Sequence, residues 1–275
     1  MMSIIHKIIT EANDKSIVKF HGTNATNEDE VEPSGIYFME HMNLVVGNRK
    51  KAETFYCDGL GFKLDPIKIN TNVSFHINLG QQQFHLVEEG AEDCSGHGLH
   101  SIKTNKIFGN IGIVVPSVVN VCEKLDNLHF KYERLYLHGS VEQTQKRREE
   151  EQPHDEHAFT SIRVTCPWDN VIYVYGLKEN KARVTINMPN QLTNMNHLRF
   201  QNPVGVRGMM PGIRFFEFYV DKGKTKGIGA FYKKFLGCLV KCGSVVIEGN
   251  RHDYALVEVG PNIHLAFSEV DNHIG

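Results

Sequence analysis

The chain has 275 residues, 41% of them hydrophobic and 23% charged, with a formal net charge of -2. That length holds one large or two average domains, and the composition is that of a water-soluble globular protein. The near-neutral balance offers no basic field for nucleic acid or an anionic membrane, and no apolar run approaches the roughly 18 residues of a membrane span.

Residues 1–35 open with isoleucines at 4, 5, 8 and 9, the spacing of one helix face, and pass into a polar, acidic stretch. They read as an N-terminal helix and linker, with no secretory signal. Six cysteines, at 57, 94, 122, 166, 238 and 242, lack CxxC spacing. They read as free thiols of a reducing cytoplasm.

From Ile36 the pattern becomes regular. His41 to Val46 is a strand, Gly47-Asn48 a turn, and Arg49 to Tyr56 a helix with Ala52, Phe55 and Tyr56 on its apolar face. Gly59 and Gly61 lie where a helix ends in a left-handed cap. Strands over 63–69, 73–79 and 83–87 complete a βαβββ unit. Alternation puts Phe75, Ile77 and Leu79 on one face and Ser74, His76 and Asn78 on the other.

A second unit follows: a strand over 108–115, a helix opened by Pro116, a strand over 130–138, and strands 160–165 and 171–175 joined by the turn Cys166–Asn170. The charged tract 142–157 interrupts it and reads as a solvated loop, including His154 and His157. Residues 178–211 are polar and carry Pro189 and Pro203, as a linker does. A third unit occupies 212–275. Its Phe231-Tyr232 and Leu236-Gly237 repeat Phe55-Tyr56 and Leu60-Gly61 at identical spacing.

These residues resemble the vicinal oxygen chelate superfamily, which includes glyoxalase I, bleomycin-resistance proteins and extradiol dioxygenases. The resemblance rests on His41, Leu44 and Val46, on the two repeated pairs, and on Cys166-Pro-Trp-Asp-Asn170 before a last strand. It implies an α+β fold of tandem βαβββ modules, two of them paired around a cleft, plus a third. Modules one and two, over 36–177, are the pair it suggests. It also implies a divalent metal, held by side chains of first and last strands, and a small-molecule ligand in the cleft. Carried over by position, the metal ligands are His41 and His85 in module one, Asn110 and Tyr173 in module two, and His264 in module three. Phe215 takes the remaining position, and a slipped register would substitute Glu217. Neutral imidazoles suit zinc, iron, nickel or cobalt, with manganese also in view.

The sequence shows no GxSxG, P-loop, GxGxxG or HExxH pattern, so no catalytic residue is assigned. Two functions follow from the resemblance. One is a metal-dependent glyoxalase-like lyase or ring-cleaving dioxygenase, in which a metal acts as Lewis acid. The other is a non-catalytic protein that sequesters a small molecule. A third module left without a pair would expose its inner sheet, which predicts a homodimer through that module or a less stable third module. The last residues, Asp271 to Gly275, read as the opening of a fourth module.

Overall fold

The computed structural model describes residues 3–11, 36, 39–66, 74–80, 82–90, 104, 106–135, 161–176, 212–260 and 263–271. Helix α1 (Ile4–Glu11) precedes three βαβββ units. Module one comprises β1 (His41–Val46), α2 (Arg49–Gly59), β2 (Lys63–Leu64), β3 (Ser74–Leu79) and β4 (Gln82–Glu88). Module two comprises β5 (Gly109–Val115), α3 (Val118–Asn127), β6 (Tyr132–Leu135), β7 (Ser161–Thr165) and β8 (Val171–Gly176). Module three comprises β9 (Ile213–Asp221), α4 (Thr225–Leu236), β10 (Val240–Ile247), β11 (Asn250–Glu258) and β12 (His264–Val270). The charged tract, the 178–211 linker and residues 272–275 fall outside the described residues.

Local chemistry accounts for the helix ends. Asn48 caps α2, its side chain accepting from the Lys51 amide at 2.9 Å. The helix widens over its last turns, where the Leu60 amide reaches the Phe55 carbonyl, five residues back. Gly61 then takes φ +83°, and the Phe62 amide closes on the Tyr56 carbonyl at 3.1 Å. Gly237 repeats this at φ +62°, with Cys238 bonded to the Tyr232 carbonyl. Gly59 lies inside the helix rather than beyond it, packed so closely that a Cβ there would meet Leu125 at 3.2 Å. In module two, Pro116 does not open the helix. Ser117 caps α3 by accepting from the Asn120 amide.

The pairing of modules is not the one expected of modules one and two. Module one forms its own four-stranded sheet, in order β1-β4-β3-β2. Modules two and three share an eight-stranded sheet, β10-β11-β12-β9-β5-β8-β7-β6, joined where first strands β5 and β9 run antiparallel. At that seam Gly112 lies under the Phe215 ring, where a Cβ would come within 2.2 Å of a ring carbon. Modules one and two meet instead through their helix-covered faces. Phe55 and Phe130 stack edge-to-face at 5.1 Å, and one apolar core runs from Leu44, Ala52 and Phe84 to Ile111, Leu125 and Ile172. Module two thus joins module three edge to edge, and helix α1 covers the sheet face that module three would otherwise expose.

Candidate functional site

Two sheet faces point away from the module helices α2, α3 and α4, and the residues matched by position divide between them. On module one, Leu44, Val46, Phe75, Ile77, Phe84 and Leu86 are buried toward the helix. The strand period of two therefore turns His41, Asn43, His76, Asn78, Gln83 and His85 to the other side. The parallel register sets Asn43 opposite His85, and the antiparallel one sets His76 opposite His85. The His76 and His85 rings stack 4.2 Å apart and 5° from parallel. His41 stands across both, at 6.5 and 6.4 Å with interplanar angles of 72° and 76°. The cluster is half-open, with the His41 side chain 39% exposed.

Neighbouring oxygens orient these rings. His41 Nδ1 pairs with the Glu40 carboxylate, and His85 Nδ1 lies 2.9 Å from Asn43 Oδ1. An ionised carboxylate and an amide oxygen can only accept, so Nδ1 of each ring carries a proton. Beside them Gln83 donates to Asp65 and, at 2.6 Å, to Asn78. Asp65 is thereby committed within the floor of the site.

The second face belongs to the seam between modules two and three. Asn110, Tyr173, Phe215, Glu217, Tyr219 and His264 all lie on it. Glu217 is fully buried. Its carboxylate accepts from Asn110 Nδ2 at 2.6 Å, from Ser268 Oγ at 2.8 Å and from the Ile5 amide at 3.2 Å. Burial raises its pKa against the opposing pull of those bonds. Asn110 also donates to the Tyr219 hydroxyl at 2.8 Å. Burial lowers the His264 pKa to about 4, with the nearby Arg214 adding to it.

Helix α1 covers this face. The Ser3 amide donates to the Tyr173 hydroxyl at 3.0 Å, and Ser3 Oγ caps the helix by accepting from the His6 amide at 2.9 Å. His6 stacks on Tyr173 at 4.7 Å and bonds the Tyr175 hydroxyl through Nδ1 at 2.8 Å. Ile4, Ile5 and Ile8 are buried among Val114, Phe215, Ile247, Tyr254, Leu256 and Ala266.

The structure thus brings His41 and His85 together and adds His76, while Asn110, Tyr173 and His264 lie on the other face. Phe215 is buried opposite His264, and Glu217 lies two residues further along the same face, opposite Ala266. A metal ion fits neither arrangement as it stands. An ion in the plane of one imidazole cannot lie in the plane of a second ring stacked parallel to it, so His76 and His85 cannot share one. At the seam, Asn110 turns its amide donor to Glu217, whose oxygens already serve Ser268 and α1. Among the described residues no three His, Cys, Asp or Glu side chains form a group able to hold an ion.

No protein-family profile and no curated protein matches this chain. Its structure is similar to that of a glyoxalase I variant from Zea mays, at 13% sequence identity and a TM-score of 0.50, covering 86% of this chain and 69% of that one. A lactoylglutathione lyase from Agrobacterium tumefaciens aligns at 14% identity and a TM-score of 0.34 over 55% of this chain and 98% of that one. An integron cassette protein from V. cholerae aligns at 17% identity and a TM-score of 0.34, over 52% and 96%. At such identities what is shared is the fold.

Proposed function

We propose that this chain, which has the vicinal oxygen chelate fold, is a small-molecule-binding protein whose ligand face is the open face of module one. The observation that carries this reading is the His76–His85 stack with His41 standing across it. The stacked pair presents the outer face of each ring, and His41 stands beside it, nearly equidistant from the two. Asn43, Asn78 and Gln83 lie on the same face of the sheet. Such a cluster suits a small molecule with a flat ring to stack and polar groups to bond.

The test is NMR of imidazole-labelled histidine during titration with planar heteroaromatic fragments that carry N–H or O–H donors. His41, His76 and His85 should shift together and saturate, and His76→Ala should abolish the response. A response confined to other histidines, or none across the fragment set, contradicts the assignment.

A second reading is favoured by Glu40 and Asn43, which hold His41 and His85 as the tautomers that a metal-ligating histidine adopts. In it His41 and His85 bind a divalent ion, and the protein is a glyoxalase-like lyase or extradiol-type dioxygenase. Bound, the ion would supply Lewis-acid polarisation of substrate oxygens. His85 would have to leave its stack on His76, and Glu40, the carboxylate in contact with His41, would have to carry the proton that a lyase moves.

A further inference from the structure

The seam between modules two and three is lined like a ligand site, yet a segment of the chain itself fills it. Four features of α1 are fitted to that face. Its first amides are received by Tyr173 and by the buried Glu217. A carboxylate at this end also opposes the positive pole of the helix. Its one imidazole is stacked on Tyr173 and bonded to Tyr175. Ile4, Ile5 and Ile8 fill an apolar pocket formed by strands of both modules. Polar and apolar groups are matched along the same short stretch, as in a bound peptide.

The same stretch is poorly suited to being permanent core. Eight residues do not hold a helix alone in water, so α1 is helical only while docked. Three buried isoleucines and a few hydrogen bonds are set against the entropy of ordering some nine residues, and these opposing terms are of similar size. A docking so nearly balanced is reversible.

We infer that residues 3–11 are an intramolecular ligand that closes the seam between modules two and three, and that this face, once vacated, is a binding site for a short aliphatic helix with free N-terminal amides. The site recognises amides through Glu217 and Tyr173 and isoleucine side chains through the pocket around Phe215 and Leu256. The covalent tether gives α1 a high effective concentration, so the closed state prevails in the intact chain. This inference is independent of the ligand face on module one, from which Glu217 and α1 are separate.

The experiment uses the chain with residues 1–11 deleted and a synthetic peptide of residues 1–12 as probe. Calorimetry should show one saturable peptide site on the deleted chain. Binding to the intact chain should be at least about tenfold weaker, and Glu217→Gln in the deleted chain should weaken the peptide about tenfold. A deleted chain that keeps its near-ultraviolet circular dichroism yet does not bind the peptide overturns the inference. Equal binding by the intact chain overturns it as well. Should the deleted chain fail to fold, hydrogen exchange on the intact protein decides. Amides of residues 4–8 exchanging well before those of β9 and β12 support reversible docking, and exchange only with global unfolding refutes it.

Discussion

Glu217 and His6 face each other's surroundings across one buried junction and respond to pH in opposite directions. Burial lowers the His6 pKa from 6.5 to about 4. Its contribution to stability is therefore complete above pH 6.5 and is lost as pH falls from 6.5 toward 4. His264 shares this sign and this window. Glu217 is raised, so it favours the folded state below its ordinary pKa of 4.5 and withdraws that support as pH rises. The two histidines dominate between pH 6.5 and 4.5, where each is worth at most about 3 kcal/mol. Urea midpoints should fall between pH 7 and pH 4.5, and His6→Phe should remove part of the fall. A pH-independent midpoint, or a His6→Phe profile that matches the wild type, contradicts the burial of His6 against Tyr173. At this scale the sequence was only partly legible. His41 and His85 are found by position in a strand, but His76 joins them through cross-strand register, which no single strand displays. Glu217 was within reach only through a two-residue slip of register, and one of its donors is an amide more than two hundred residues earlier.

Elements were the most legible level, because period and punctuation act locally. Each of the three module helices, α2, α3 and α4, ends on a residue in the left-handed region: Gly61 at φ +83°, His129 at φ +60° and Gly237 at φ +62°. Leu60-Gly61 and Leu236-Gly237 announce themselves, whereas Leu128-His129 is the same cap without its glycine. Its function shows in the Phe130 amide, which bonds the Leu125 carbonyl at 2.9 Å. Opposite substitutions should therefore have opposite effects. Gly61→Ala should cost about 1 kcal/mol, and His129→Gly should stabilise by up to about 1 kcal/mol, both read from urea denaturation. A His129→Gly variant that loses stability would show that the side chain, not the backbone, matters at that cap. The α1 pattern was also plain in its isoleucines. Its docking partner was not, because periodicity reveals an apolar face and says nothing about what covers it.

At the scale of the whole molecule, the three-module architecture follows from the repeat, but the arrangement of modules does not. A module carries the same inner sheet face and the same helix face whichever neighbour it meets, so the choice rests on seam contacts such as Gly112 beneath Phe215 and Gly59 against Leu125. With module two committed to module three, the shared seam is filled by α1, and the proposed ligand face falls to module one. Its His76 and His85 rings stack rather than converge. Calorimetric titration of nickel or zinc ions into the metal-free intact protein tests this most directly. The account predicts no stoichiometric site and no difference between the wild type and His41→Ala. Uptake of one ion per chain, lost in both His41→Ala and His85→Ala, would contradict it and establish the metal-dependent reading instead.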